Sequence, residues 1–476
     1  MSKPKRIIIV GLGNLGQAIL PLLQDVFPQI PIIAFDQHCD RRRVELAARW
    51  YVDLKQCRIS AGNYQYVLGE VLEEADFLLN LAHEVSSAAL LQLAQSHGAF
   101  YLDTGIEPWQ YRFDNRDAGL DTSNFALREQ VLALKARSPQ ARTAIIAHGA
   151  NPGFVSILVK QALWDMATRT IPSYTRTSVP SSRLDWARLA AQLKIRVIQI
   201  SECDTQYAPA QTAHHELHNT WSVDGFVTEC RQHAELGWGS HEPALPVDAI
   251  RQGGLRGAYI QLQRPGWQTR VRSWSPLRGE FEAILLTHHE AISITSYFTV
   301  DEADQALYRP TVYYAYRPPA CAMASMQMIE QDSIALQGER RVLKEEIRSG
   351  VDELGVLLIS EIHGGLWYGS ALSIERARAL APLNNATSLQ VVSSVVGAMR
   401  WAIDHPDAGI VEAEEMDHDA LIAYTRHFWE PMQCVATAWT PLHTASRLDF
   451  AAFRYDGDRY EKYDREQALV PMNELA

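Results

Sequence analysis

The chain has 476 residues, of which 47% are hydrophobic and 9% aromatic, which is enough material for two or three packed domains. Its 56 acidic residues outnumber 44 basic ones, and the net charge of −12 argues against a nucleic-acid-binding protein. The same charge weakly favours a cationic ligand.

Cysteine spacing and hydropathy indicate what kind of protein this is: they argue against a metalloprotein and a membrane protein. The six cysteines are scattered, without a C-x-x-C pair or the spacing of a zinc site, and we expect reduced thiols and no metal. No stretch reaches the roughly 18 uninterrupted apolar residues of a membrane span, and the apolar run after MSKPKR is too short for a signal peptide. We therefore expect a cytoplasmic protein without a membrane partner.

The N-terminal residues predict a dinucleotide-binding unit. The strand-like RIIIV leads into Gly11-x-Gly13-x-x-Gly16 and a helical pattern, and the next strand, PIIAFD, ends at Asp36. Gly11 permits a tight turn, Gly13 lets the backbone approach a pyrophosphate, and Gly16 allows close helix packing. A carboxylate about 20 residues later can accept hydrogen bonds from ribose hydroxyls. The expected cofactor-binding residues are Gly11, Gly13, Asn14, Leu15, Gly16, Asp36, Asn80 and Asn151.

Asp36 also predicts which dinucleotide binds. NAD is favoured, because the 2′-phosphate of NADP would meet the negative charge of Asp36. Arg41, Arg42 and Arg43 follow closely and can accommodate that phosphate, so NADP stays an alternative.

Strands and helices continue to alternate up to about residue 150, through DFLLNLA, AFYLDTG and NFALREQVLALKAR. This alternation predicts a parallel sheet with ligands at the carboxyl ends of its strands. Asn80, Glu84, Glu107 and Asn151 follow such ends and are candidates for ligand contact, although each residue type is more common as a turn or cap residue.

Beyond about Leu184 the pattern changes to aromatic, β-rich stretches such as FEAILLTHHEAISITSYFTV. Runs of strands without intervening helices predict an α+β domain for substrate binding or dimerisation. We expect its tryptophans to pack in a core or interface: Trp238, Trp267, Trp274 and Trp367. An amphipathic helix follows, with Leu389, Val392, Val396, Met399 and Ile403 on its apolar side.

The predicted fold class is therefore α/β, with an N-terminal Rossmann-type parallel sheet and a second α+β domain. The first domain spans residues 1–150 with a returning helix near 386–405, the second spans 151–385, and 406–476 form a C-terminal segment.

The stretch NTWSVDGFVTE, residues 219–229, reads as neither a clean helix nor a clean strand. It places an indole, Trp221, beside the carboxylates Asp224 and Glu229. The face of an indole attracts positive charge, and flanking acids would complete a cage for an organic cation.

Ten segments, in this order along almost the whole chain, carry a family resemblance: HGANPG, SECDTQ, NTWSVDGFVTE, ELGWG, RVRSWSP, THHEAISI, DELGVLL, WYGSALSIE, NATSLQVVSSV and DAGIVEAEE. The chain resembles the bacterial homospermidine synthases, which have a saccharopine-dehydrogenase-like architecture. The resemblance implies a homodimeric aminobutyl transferase of polyamine biosynthesis that keeps NAD bound. Such an enzyme joins two putrescines with release of ammonia, or uses spermidine as donor with release of 1,3-diaminopropane.

The resemblance also implies roles for individual residues. Trp221 matches the cation-π residue of the family, with Glu202 and Glu229 as nearby carboxylates. Glu290 and Asn151 match residues of the inner amine site.

Further matches involve the entrance and the proton carrier. Glu107 matches an acid at the site entrance, and Glu84 stands where the family usually has Asp. His288 matches a histidine of the site and is a candidate proton carrier. His289, where Asn is frequent, and His148, where a smaller residue is common, are interpreted as bystanders.

Two alternatives remain open from the sequence. A net oxidoreductase of the carboxyspermidine or saccharopine type would need basic residues for a substrate carboxylate, and Arg270 and Arg272 are the candidates. A catalytically inactive NAD-binding protein would have damaged cation sites. Lys160 is a conceivable base, but a charge on a solvated helix face is the expected role.

Overall fold

The structure is a computed structural model that describes residues 3–111, 121–175, 177–209, 216–253, 257–302, 305–331, 333–443 and 447–455. The strands are β1 Ile7–Val10, β2 Ile32–Asp36, β3 Val52–Gln56, β4 Phe77–Asn80, β5 Phe100–Asp103, β6 Ala144–Ile145, β7 Ile195–Asp204, β8 Glu216–Asn219, β9 His233–Gly237, β10 Ala249–Gln252, β11 Tyr259–Pro265, β12 Arg270–Ser275, β13 Gly279–Leu286, β14 Val300–Glu302, β15 Gln305–Tyr308, β16 Thr311–Arg317, β17 Glu339–Val342, β18 Val351–Ser360, β19 Gly364–Ser373, β20 Ile410–Val411 and β21 Met432–Thr437. The helices are α1 Asn14–Ala18, α2 Leu20–Val26, α3 Arg41–Arg49, α4 Tyr64–Gly69, α5 Ser87–Ser96, α6 Asn124–Arg137, α7 Phe154–Thr170, α8 Arg183–Gln192, α9 Val223–Arg231, α10 His289–Tyr297, α11 Ala320–Gln331, α12 Ile374–Leu380, α13 Ala386–Asp404, α14 His418–Trp429 and α15 Phe450–Phe453.

The N-terminal sheet is parallel throughout, with the strand order β20-β6-β5-β4-β1-β2-β3. The strands β1, β4 and β5 are buried along their whole length, as their continuous apolar runs predict. The chain proceeds from β1 to β2 on one side and later to β4 on the other, which opens a crevice at their carboxyl ends. The predicted Rossmann-type sheet is confirmed.

The second sheet is mixed and has the order β10-β11-β9-β16-β7-β18-β19-β21, with β13 and β12 joining beside β16. The strands β16 and β7 run parallel, whereas β18 is antiparallel to both β7 and β19. The predicted second domain, rich in strands, is confirmed. The register places Glu202 and Asp204 on β7 beside Leu354 and Asp352 on β18.

One apolar cluster extends through both sheets. It includes Leu79 of β4, Leu158 of α7 and Val356 of β18, all fully buried. The helix α7 packs against β18 and β19, and α13 packs against α1, β5 and β6. Because the two sheets share buried side chains, groups at their facing edges are held in fixed positions relative to one another.

Trp238, Trp267 and Trp367 are buried as expected and Trp274 packs partly buried against a core cluster, but two other expectations, on residues 289–297 and on Lys160, are wrong. Residues 289–297, predicted within a β-rich run, form α10, because tertiary packing overrides the β propensity of its Ile and Thr residues. The helix predicted near 386–405 is present as α13, and the five residues of its predicted apolar side are buried; its polar side is buried too, because of its 19 residues only Val391, Arg400 and Asp404 are not.

Lys160 is also placed differently from the prediction. It is 4% exposed, its Nζ donates to the Met416 carbonyl oxygen at 3.1 Å, and it lies 5.0 Å from the Tyr297 ring centroid. Burial lowers the pKa of Lys160 to about 8, against the opposing effect of nearby acids. None of the helices in the described ranges is both long and apolar enough to cross a membrane.

Candidate active site

The glycine-rich turn follows β1 at the crevice. Gly11 has a φ of +95°, which favours glycine, and a side chain at Gly16 would stand 2.2 Å from the Gly11 carbonyl oxygen. A side chain at Gly13 would meet nothing within 4 Å, so open space adjoins the backbone there. A tight turn, close helix packing and an accessible backbone are what a pyrophosphate requires.

Helix α1 starts at the same point, at Asn14 and Leu15, after an N-cap Gly13 that offers no side-chain cap. Asn14 Nδ2 donates a 2.8 Å hydrogen bond to the Trp221 carbonyl oxygen. Asn14 Oδ1 is buried and has no hydrogen-bond partner in the described part of the chain. The crevice therefore fits a dinucleotide, and Asn14 joins it to the segment that carries Trp221.

Asp36 closes the far end of the crevice. Its Oδ2 accepts from the Leu12 N–H and its Oδ1 from the His38 N–H, both at 2.7 Å. Arg43 Nε lies 4.0 Å from Asp36 Oδ1, and the Arg43 guanidinium also pairs with Asp40. With that arginine already engaged by two carboxylates, the geometry favours NAD over NADP.

Asn80 ends β4 and organises the next loop. Its Nδ2 donates to the Val85 carbonyl oxygen at 3.0 Å and its Oδ1 accepts from the Ala82 N–H at 3.3 Å. A side chain at Gly11 would stand 3.1 Å from Ala82. The amide of Asn80 thus shapes the wall opposite the glycine turn, and its predicted cofactor contact stays a prediction.

Trp221 lies in the turn between β8 and α9, and the residues after it, 223–229, form most of α9, so the larger part of this stretch is helical, contrary to the interpretation from the sequence. Ser222 caps α9, accepting from the Gly225 N–H at 3.0 Å, and a side chain at Gly225 would stand 2.7 Å from Trp221 Cζ3. Glycine therefore makes room for the indole. Asp224 pairs with Arg340 at 2.7 Å in an exposed position, so it is Glu229 that belongs to the buried site.

His288 lies between two carboxylates. Its Nε2 is 3.2 Å from Glu229 Oε2 and its Nδ1 is 3.0 Å from Glu290 Oε1. Its ring centroid lies 4.2 Å from that of Tyr314. Burial alone would lower the pKa of His288, but Glu290 and Glu229 outweigh it and raise the pKa to about 10. The imidazole is therefore charged at neutral pH in this arrangement.

Glu202 forms the inner end of the site and is 2% exposed. Its Oε2 accepts from Asn151 Nδ2 at 2.7 Å and from the Tyr314 hydroxyl at 2.6 Å. Burial raises the pKa of Glu202 to about 8, since these hydrogen bonds only partly stabilise the charged form. Tyr314 was not anticipated, although the closely spaced tyrosines of TVYYAYRP were a usable signal.

Two further acids, Asp204 and Asp352, lie on neighbouring strands next to Glu202 and were also missed. Asp204 accepts from the Thr220 hydroxyl at 2.9 Å and Asp352 from the Thr387 hydroxyl at 2.6 Å. Burial raises the pKa of Asp204 to about 6 and that of Asp352 well above its usual range. Their pairing follows from strand register, which the motifs SECD and DELG do not reveal separately.

The outer end of the site is formed around Glu107. Glu107 Oε2 accepts from the Glu84 N–H at 3.0 Å and lies 3.2 Å from His83 Nδ1. Glu84 Oε1 accepts from the Tyr111 N–H at 3.0 Å, and His83 Nε2 is 3.3 Å from the hydroxyl of Thr228, the neighbour of Glu229. Burial opposes charge on His83, but Glu107 outweighs it and raises the pKa to about 9. His83 was not anticipated.

The predicted site residues thus form two groups that the structure connects. The glycine turn, Asn14 and Asp36 line the crevice, while the predicted acids and His288 extend from Glu107 to Glu202. The Asn14 to Trp221 and Asn151 to Glu202 hydrogen bonds join the N-terminal sheet to the second domain.

The basic candidates for a substrate carboxylate are engaged elsewhere. Arg270 Nε lies 3.6 Å from Glu282, and Arg272 Nη1 lies 3.0 Å from Glu280, both on the adjacent strand β13. His148 is fully buried, and burial lowers its pKa to about 3, so it is neutral.

Comparisons with known proteins agree with this arrangement. Residues 7–146 match the saccharopine dehydrogenase NADP binding domain, and residues 149–433 match the saccharopine dehydrogenase C-terminal domain. The chain is 41% identical over 445 residues to a homospermidine synthase of Blastochloris viridis, covering 92% of each chain. It is 37% identical over 473 residues to one of Mesorhizobium japonicum, covering 98% of this chain and 96% of that one.

A solved structure extends the comparison to the fold. The homospermidine synthase of Legionella pneumophila, in complex with NAD, superposes with a TM-score of 0.87 at 39% identity, covering 95% of this chain and 98% of that one. The chain therefore belongs to the homospermidine synthase family, within the saccharopine-dehydrogenase-like proteins.

Proposed function

We propose that this protein is a homospermidine synthase that transfers an aminobutyl group from putrescine, or from spermidine, to a second putrescine. The observation that carries this proposal is the cluster of buried carboxylates Glu202, Asp204 and Asp352. Asp204 accepts from the hydroxyl of Thr220, and the carbonyl oxygen of the next residue, Trp221, accepts from Asn14 at the dinucleotide crevice. Putrescine is a dication at neutral pH, and buried carboxylates are the partners that a desolvated ammonium needs. The named relatives support the same activity.

The crevice residues would hold NAD through the turn of Gly11 to Gly16 and the carboxylate of Asp36. Bound NAD would supply reversible hydride transfer: the oxidation of the amine-bearing carbon of putrescine and the reduction of the imine that remains after the second amine has displaced ammonia would cancel, so the cycle would have no net oxidation. The protein must therefore place an uncharged amine carbon beside the crevice and keep the other ammonium fixed.

Glu202 is our candidate for accepting the first proton. An alkylammonium cannot give up hydride, so one amine must be deprotonated before oxidation. Because burial raises the pKa of Glu202 to about 8, the carboxyl is mostly protonated at pH 7, and it is the ionised fraction that accepts the substrate proton, oriented by Asn151 and Tyr314. The charge of Asp204 behind it contributes to raising this pKa.

Trp221 supplies an uncharged surface for positive charge. Its indole face would stabilise the iminium that hydride loss creates, without forming a salt bridge that would hinder attack by the second amine. Glu229 and Glu290 would bind the remaining ammonium. Since His288 already lies between these two carboxylates, a cation that binds there requires His288 to lose its proton, which makes His288 the proton carrier.

Glu107 and Glu84 would attract the substrate at the entrance. From the family assignment we also expect a homodimer and a cytoplasmic location. Light scattering of the purified protein tests the dimer.

The activity is tested by mass spectrometry after incubation of the purified protein with isotopically labelled putrescine and NAD far below the polyamine concentration. We expect homospermidine and ammonia in many-fold excess over NAD, without accumulating NADH. Product limited to the amount of NAD, or formed only with a carboxylated partner, would instead identify a net oxidoreductase.

A further inference from the structure

The motif GIVEAEE near the C-terminus is not used by the proposed reaction, yet two of its three acids are buried. Glu412 is 8% and Glu414 1% exposed, and Glu412 caps a turn in which Glu415 Oε2 accepts from the Glu412 N–H at 2.9 Å. We call residues 412–415 the acidic turn. A turn with three acids is ordinarily exposed, so the burial of Glu412 and Glu414 calls for a structural cause.

The acidic turn is connected to α6 by a buried ion pair. Arg128 donates from Nε and Nη2 to the two oxygens of Glu412, at 2.6 and 2.7 Å. Lys135, two turns further along α6, pairs with Glu415. The guanidinium outweighs burial and holds the pKa of Glu412 below its usual range. A bidentate pair of this kind fixes both position and orientation of the carboxylate.

The same carboxylate holds the beginning of α10. His289 Nε2 lies 3.0 Å from Glu412 Oε1, with His289 4% exposed. One turn later, the Ser293 hydroxyl donates to Glu414 Oε1 at 2.7 Å. Residues four apart lie on one face of a helix, so the acidic turn holds α10 at two points along that face.

In the sequence, His289 lies between His288 and Glu290, and the side chains of these two neighbours are 3.0 Å apart. Successive helical residues point about 100° apart, so any rotation of this first turn would move all three side chains together. Fixing His289 therefore fixes the distances from His288 to Glu229 and Glu290.

We propose that Arg128, Glu412 and His289 are positioning residues that hold the first turn of α10 so that His288 bridges Glu229 and Glu290. This inference rests on the proposed function, because it assigns His288 and Glu290 to the reaction. Burying an ion pair seldom adds net stability over apolar packing, whereas it does impose one geometry.

The primary test is His289→Ala, which leaves the Arg128 to Glu412 pair intact, together with the conservative His289→Gln. We expect His289→Ala to lower kcat at least about tenfold while the KM for putrescine changes less than about threefold, and His289→Gln to recover most of the loss. The matched control is Asp76→Asn, which breaks another bidentate pair, from Arg6, at the opposite end of β4. A loss in His289→Ala no larger than in Asp76→Asn at equal folded fraction would overturn the proposal.

Two readouts separate positioning from general stabilisation. In a His288→Asn background, His289→Ala should lower kcat by less than about twofold further, because the effects of two residues that act through the same group are not additive. The ring resonances of His288, assigned by their disappearance in His288→Asn, should move in His289→Ala and stay in place in Asp76→Asn. Additive losses, or unmoved resonances, contradict the proposal. Failure of the proposed function would appear separately, as absent homospermidine in the unaltered protein.

Discussion

Glu202→Gln probes the inner site through the pH dependence of stability. Burial raises the pKa of Glu202 from 4.5 to about 8, so between these values the folded protein holds a proton that the unfolded chain releases. The sign follows directly: the stability contributed by this proton is fully present below pH 4.5 and is lost as pH rises through 8. Glutamine resembles the neutral form, so the variant lacks this loss.

The change in the free energy of unfolding with pH has an upper limit, because Glu202 binds a single proton. Each pH unit within the window changes the free energy of unfolding by at most about 1.4 kcal/mol, or on the order of 5 kcal/mol across the whole shift. Asp204 and Asp352 share the same buried cluster and take part of this effect. Between pH 6 and 8 we therefore expect the unaltered protein to lose about 1 to 3 kcal/mol more than Glu202→Gln.

The assay is urea unfolding, followed by circular dichroism at pH 5, 6, 7 and 8. Glu282→Gln, a change at a half-exposed acid on β13, is the control and should parallel the unaltered protein. Unfolding free energies of Glu202→Gln that fall with pH as steeply as those of the unaltered protein would refute a proton on Glu202. The same variant should lose about 10² to 10⁴ in kcat if Glu202 accepts the substrate proton.

Three further variants test the other parts of the site. Trp221→Ala should lower turnover about thirtyfold with little effect on NAD affinity, since a cation-π contact is worth about 2 kcal/mol. Trp221→Phe should retain part of the turnover. Equal losses of turnover in the two variants would indicate that Trp221 only packs in the core. Asp36→Ala should weaken NAD binding in calorimetry while the KM for putrescine stays constant, and an unchanged NAD affinity would disprove its assignment. His83→Asn removes the partner of Glu107. Because the pKa of His83 is raised to about 9, protonated His83 stabilises the folded protein below pH 6.5, and this stabilisation is lost as the pH rises through 9. Its unfolding midpoint should therefore differ from that of the unaltered protein at pH 6 and converge with it near pH 10, and a constant difference would contradict the ion pair.

Sequence reasoning predicted the cofactor crevice well because its parts are contiguous. The turn, the helix after it and Asp36 lie within residues 7–36, and each depends on local backbone requirements. The N-terminal parallel sheet followed from the same short-range alternation. Trp221 and Glu229 were singled out by their proximity within residues 219–229, whereas His288 was indicated only by family resemblance, because it meets Glu229 from a segment far away in the sequence.

The residues that were missed depend on long-range pairing. Asp352 comes beside Asp204 only through the antiparallel register of β7 and β18, and His83 reaches Thr228 across the junction of the two sheets. Lys160 was misplaced because a polar residue on a helix gives no sign of burial when aromatic rings and a carbonyl oxygen from other elements surround it.

The sequence alone determined the types of chemical group present: a glycine turn for a dinucleotide, an indole and an excess of acids suited to a cation. Only the tertiary structure decided which acids are buried together, and therefore which have raised pKa values. Side-chain identity and local backbone geometry are properties of neighbouring residues. Desolvation and charge coupling are properties of groups brought together from distant parts of the chain, as Glu202, Asp204 and Asp352 are.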